Sequence, residues 1–188
     1  MATWIVLGVA ALLVLFAVVL YNRLVKARQM AAEGWSGIDV QLKRRADLVP
    51  NLVSTVQGYA AHERSLLEEV TKLRGMAARI PEGDVAGRAK VESALAAGLA
   101  KLMALAESYP DLKASDNFLK LQTELAGSED EIQMARRYYN GAARNLNVLV
   151  ESFPSNIVGQ IFGFRLLDYF QAGDADRAVP EVAFGGGR

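Results

Sequence analysis

Residues 2–21 read ATWIVLGVAALLVLFAVVLY, a run without a single charge and with only Thr3 and Gly8 outside the apolar set. A helix that is apolar on every face has no side to turn toward water, so it must be enclosed by a large domain or placed in lipid. The chain has 188 residues, too few to surround such a helix and still bury a core of their own. About 20 apolar residues are what a membrane-spanning helix requires. Trp4 and Tyr21 stand near the two ends of the run, where amphipathic rings favour the headgroup level, and Arg23, Lys26 and Arg28 follow at once. A cleaved signal peptide would place its basic residues before the apolar core, whereas Met1 to Thr3 carries no Lys or Arg. Residues 1–21 are therefore predicted to be a transmembrane anchor. Arg23, Lys26, Arg28, Lys43, Arg44 and Arg45 all follow the span, which by the positive-inside rule directs the rest of the chain to the cytosol. The extracytoplasmic side is the alternative.

Beyond the anchor, apolar residues recur at spacings of three and four, the seam of packed helices. The first stretch, 22–46, carries Leu24, Ala31, Trp35, Ile38 and Leu42 on one stripe and continues the membrane helix. Asp47 suits an N-cap and Pro50 lacks an N–H, so a boundary is predicted between Ala46 and Pro50. One kinked helix is the alternative, because the stripe keeps its phase through this point. The second helix, 49–79, aligns Val49, Leu52, Val56, Tyr59, Leu66, Val70, Leu73, Ala77 and Ile80, with Glu63 the one charge on the seam, and stops at the IPEGD sequence of 80–84. A third, 85–108, offers Val91, Leu95, Leu102, Leu105 and Tyr109, and ends before Pro110. The fourth, 115–152, has the cleanest stripe: Phe118, Leu121, Leu125, Ile132, Ala135, Tyr139, Ala142, Leu146 and Leu149. Short links demand antiparallel neighbours. The expected fold is all-α: an N-terminal transmembrane helix followed by an antiparallel up-and-down four-helix bundle of long helices, over residues 22–172.

In that arrangement the fourth helix returns toward the bilayer. The segment after it, FPSNIVGQIFGFRLLDYF at 153–170, is dense in apolar residues, with Phe153, Phe162, Phe164, Tyr169 and Phe170 as its aromatic set. It is expected to pack on the bundle or form a subunit contact; lying in the headgroup region is the competing reading. Residues 173–188, ending in GGGR, are polar and glycine-rich and are expected to form a flexible tail.

Composition narrows the chemistry. Lys plus Arg equals Asp plus Glu at 21 each, so no global field draws nucleic acid. The absence of cysteine removes disulfides, thiolate catalysis and thiolate metal sites together. His62 is the only histidine; its neighbour Glu63 points about 100° away on a helix and does not orient it. Glu68 with Glu69, and Glu129 with Asp130 and Glu131, read as solvated helix surface, and no nucleotide-binding or metal motif is present. No catalytic, metal or cofactor residue is assigned. The remaining polar residues suggest structure rather than ligand binding: Arg44, Arg45 and Asp47 pairing with acidic residues of the fourth helix, and Asn51, Asn117, Gln122, Tyr139 and Asn140 in a buried hydrogen-bond network. The basic patch of Lys43 to Arg45 lies about 35 Å beyond the span at ~1.5 Å per residue, out of reach of the same bilayer.

Several longer motifs carry a family resemblance. These are WSGIDVQLKRRADLVPNLV at 35–53, GYAAHE at 58–63, NFLKLQ at 117–122, SED at 128–130, ARRYYN at 135–140 and FPSN at 153–156. Together with the membrane helix followed by Tyr21 and Asn22, they resemble the LemA family over essentially the whole chain. The resemblance implies a bacterial, membrane-anchored helical bundle and assigns no reaction. The function expected is a non-enzymatic scaffold at the bacterial inner membrane that meets lipid and assembles with itself or with other membrane proteins. An adaptor or regulator of a membrane-bound protease or signalling protein is the alternative.

Overall fold

The computed structural model describes residues 1–81 and 83–171. Six helices follow in order: α1 (Ala2–Gln57), α2 (Arg64–Ala77), α3 (Val85–Ala106), α4 (Pro110–Lys113), α5 (Asp116–Glu151) and α6 (Ser155–Ile161). The all-α class holds, with no strand among the described residues. The glycine-rich tail expected at 173–188 lies outside them.

α1 is one helix from the apolar run into the folded domain. Its buried positions are Leu20, Leu24, Ala27, Ala31, Gly34, Ile38, Leu42, Arg45, Val49, Leu52 and Val56, spaced by threes and fours throughout, which keeps one stripe against its partners. α5 supplies the main partner, burying Phe118, Leu121, Leu125, Ser128, Ile132, Tyr139, Ala143 and Leu146. The two run antiparallel. Leu52 and Val56 share a cluster with Phe118 and Leu121 at the far end, while Leu20 and Leu24 meet Leu146 at the anchor end. Their backbones approach closely at Gly34, where an added Cβ would sit 2.9 Å from the Tyr139 Cα; a side chain there has no room. α2 and α3 form a hairpin whose Val70, Leu95, Leu99 and Leu102 fill the far-end core. No residue of that hairpin enters the anchor-end cluster. There, α6 and an extended strap at 164–171 occupy the space beside α1 and α5.

Three sequence expectations are corrected. The boundary between Ala46 and Pro50 does not exist, nor does a helix over 49–79: α1 runs through Pro50 and the break falls at 58–63. Proline leaves the carbonyl of the residue four earlier without its donor. That carbonyl is Ala46 O, and Arg74 Nε of α2 donates to it at 2.8 Å. Because the chain turns at 58–63, Ala60 is buried and Tyr59 is exposed, and the inward residue of α2 is Leu67 rather than Leu66. On α3 the inward set is Val85, Ala89, Glu92, Leu95, Leu99, Leu102 and Ala106, which keeps Leu95 and Leu102 of the expected stripe but not Val91, while Leu105 and Tyr109 are partly buried against the core. The helix is alanine-rich, so few large side chains mark its phase, and the true stripe contains a carboxylate.

Candidate functional site

Two regions depart from ordinary core and surface: a buried ionic cluster at mid-height and the anchor end with its strap. In the first, Arg45 takes a position on the α1 stripe where a hydrophobe would be expected. Its side chain is 4% exposed and that of Glu92 is 3% exposed. Arg45 Nη2 donates to Glu92 Oε2 at 2.8 Å and to the Glu92 carbonyl at 3.1 Å, and Nη1 donates to Glu129 Oε2 at 2.6 Å. Arg88 Nε donates to Glu92 Oε1 at 2.9 Å, and its Nη2 lies 3.3 Å from Asp39. Each acid is thus held by a guanidinium, and charges from α1, α3 and α5 fix the register of three helices. The pairing expected between Arg45 and an acidic residue of the fourth long helix is present. Glu92 and Arg88 were not anticipated; the signal for Glu92 was its three-residue spacing from Ala89 and Leu95. Arg44 and Asp47 point to solvent instead.

The buried network expected among Asn51, Asn117, Gln122, Tyr139 and Asn140 is not formed as a unit. Asn51, Asn117 and Gln122 are exposed near the far end, with Asn51 and Asn117 facing one shallow recess. Tyr139 and Asn140 belong to a different device, further along α5. Asn140 Nδ2 donates to the Phe170 carbonyl at 3.0 Å while its Oδ1 accepts from the Phe170 N–H at 2.8 Å. Asn147 treats Leu167 in the same way, at 2.9 and 2.8 Å. Tyr139 Oη donates to the Asp168 carbonyl at 2.9 Å. The spacing has a simple origin. Seven helical residues advance about 10 Å, and three extended residues also advance about 10 Å, so two asparagines two turns apart grip strap residues three apart. Burial, and then the Asp168 carboxylate, raise the Tyr139 pKa above its ordinary value. Asn147 was missed, although its i+7 relation to Asn140 on one helix face was visible.

The strap also ties down aromatic residues. Phe170 is buried against Trp35 at 5.9 Å between ring centroids, and Trp35 lies 5.6 Å from Tyr139. Phe164 is buried beside Tyr21 at 5.9 Å, with the Arg28 guanidinium carbon 4.9 Å above its ring, a cation–π contact. Tyr21 also meets Phe162 at 4.7 Å. Of the predicted anchor residues, Trp4, Arg23 and Lys26 are exposed. Of the predicted tail residues, Phe164 and Phe170 pack inward, while Phe153, Phe162 and Tyr169 face outward. Only 6% of the most apolar window of α1 is buried within the fold, so this is no core helix. His62 is exposed in the turn before α2. Among the described residues no group of three or more His, Cys, Asp or Glu is placed to hold a metal ion.

Residues 34–184 match the model of the LemA family. Magnetosome protein MamQ of Magnetospirillum gryphiswaldense is 27% identical over 190 residues, covering 86% of this chain and 70% of its own length. Magnetosome protein MamQ 2 of Paramagnetospirillum magneticum is 28% identical over 191 residues, with the same coverage. Protein LemA of Metamycoplasma hominis is 29% identical over 156 residues, covering 83% of this chain and 71% of its own.

Proposed function

The chain belongs to the LemA family, and on that footing we propose that it is a non-enzymatic scaffold of the bacterial inner membrane, which assembles with itself or with other membrane proteins. The observation that carries this reading is the continuity of α1. Its first turns are apolar and unpartnered, and the same helix becomes the central element of the packed domain. A position in the membrane is thereby transmitted without a hinge to the bundle faces. The ionic cluster and the paired asparagines spend their polar groups on holding helices and strap together, which suits a rigid platform better than a reaction centre. Relatives named as magnetosome proteins support a role at a membrane surface. The basic residues that follow the span support a cytosolic bundle.

Cross-linking in native membranes tests the proposal. The full chain is expected to cross-link to itself or to other membrane proteins, and to sediment as an oligomer after solubilisation. A monomer at every accessible concentration, with no cross-linked partner, would contradict it. Specific cross-links to a single protease or signalling protein would instead favour the adaptor reading.

A further inference from the structure

Helix α6 is apolar on the wrong side for a helix in water. Ser155, Val158 and Gly159 are buried, and Gly159 faces Val150 of α5 and Leu24 of α1 across ordinary van der Waals distance, so this side of α6 is seated on both helices. A soluble amphipathic helix would turn polar residues outward. Here Ile157 and Ile161, one turn apart, face outward beside the single exposed polar residue Gln160 and are 50% and 72% exposed, and flanking Phe153 and Phe162 are 80% and 58% exposed. Exposed apolar side chains scattered singly, such as Val40 or Leu119, need no explanation, whereas a contiguous group marks a contact surface.

The position of this group selects its occupant. Val158 and Phe164 share a cluster with Leu20 and Leu24, and Ala17 and Tyr21 pack against it. The exposed face of α6 therefore lies at the level where the apolar run of α1 ends, joined to it by the contact between the Tyr21 and Phe162 rings, and Phe16, Val18 and Val19 of that run are exposed. Arg23, Lys26, Arg28 and Arg165 are exposed beside it. An apolar surface rimmed with aromatic and basic side chains at the end of a span has the composition of an interfacial element.

We propose that α6 and its flanking phenylalanines form a second lipid contact, a foot lying about 5–10 Å into the headgroup and acyl boundary, which fixes the tilt and rotation of the bundle about its anchor. The inference rests on the membrane anchorage read above. Because the chain has no cysteine, single-cysteine variants can be spin-labelled cleanly. Ile157→Cys, Ile161→Cys, Val40→Cys and Leu12→Cys, each in the full chain, are reconstituted into phosphatidylcholine–phosphatidylglycerol vesicles. Collision rates with oxygen and with a water-soluble nickel complex are then measured by electron paramagnetic resonance. Labels at 157 and 161 are expected to show oxygen-to-nickel ratios several-fold above that at 40, and below that at 12. Ratios at 157 and 161 equal to that at 40, with 12 in lipid, would overturn the foot and leave the anchor standing. Spin–spin broadening at 157 or 161 that vanishes on dilution with unlabelled protein would overturn it in favour of a second copy on this face. An aqueous label at 12 would overturn the anchor and the foot together.

Discussion

Arg45 is held by two carboxylates and a carbonyl in the middle of an otherwise apolar stripe. Its removal leaves a buried carboxylate short of a partner, and breaking such pairs costs about 3–5 kcal/mol. Because Arg88 keeps its hold on Glu92 Oε1, Arg45→Met is expected to cost about 3 kcal/mol in denaturant unfolding, the low end of that range. Arg44→Met, one residue away and exposed, is expected to change stability by less than about 0.5 kcal/mol. Tyr139 gives a pH signature. Its raised pKa means that the folded state keeps the phenolic proton after the unfolded chain has released it. The stabilisation is thus fully present below the ordinary tyrosine value and is lost as pH rises from there through the folded-state value. Thermal melts of Tyr139→Phe should lose this component of the alkaline decline, and an unchanged alkaline slope would contradict the assignment. Arg45 was legible as an ion-pair former only in company with Arg44 and Asp47, which the structure leaves exposed; its stripe position is what separates it from them. Glu92 was not, because α3 has too few large side chains to fix its phase.

At the scale of elements, two long-range hydrogen-bonded devices shape the fold. Arg74 supplies the donor that Pro50 withholds from Ala46. Arg74→Met is therefore expected to destabilise by about 1 kcal/mol, the low end of the cost of an unsatisfied acceptor, since this bond is only part-buried. In a Pro50→Ala background, where the backbone N–H returns, that cost should shrink; a double-mutant cycle with no coupling would contradict this account. The second device is the asparagine pair. Asn147→Ala removes both bonds to Leu167 and should raise hydrogen exchange at the Leu167 and Phe170 amides more than at Leu146, within α5. These devices also explain what the sequence did and did not disclose. The stripes of α1 and α5 were readable because each is set by local spacing. The continuity of α1 at Pro50 was readable only as the alternative, from the unbroken phase of its stripe, because the group that satisfies Ala46 is a side chain 28 residues away. The strap's aromatic density was evident, but its division into inward Phe164 and Phe170 and outward Phe153 and Phe162 depends on two asparagines whose partners lie 20 and 30 residues further along.

For the molecule as a whole, the governing feature is that a single helix is apolar and unpartnered in its first turns and packed in its later ones. Its first turns expose Ile5, Leu12, Leu15 and Phe16, a surface that water would not tolerate and lipid satisfies. Its later turns are the spine around which α2, α3, α5 and the strap are arranged. Mid-height ion pairs and anchor-end aromatic contacts then make the bundle a body whose orientation follows that of the span. The helix long and apolar enough to cross a membrane was legible in the sequence, since a 20-residue apolar run needs no tertiary information. The most direct test is the intact mass of the protein recovered from native membranes after alkaline carbonate washing. A chain that retains residues 2–21 and stays in the pellet is expected; a mature chain beginning beyond Tyr21 and released to the supernatant would contradict a helix continuous from lipid to bundle.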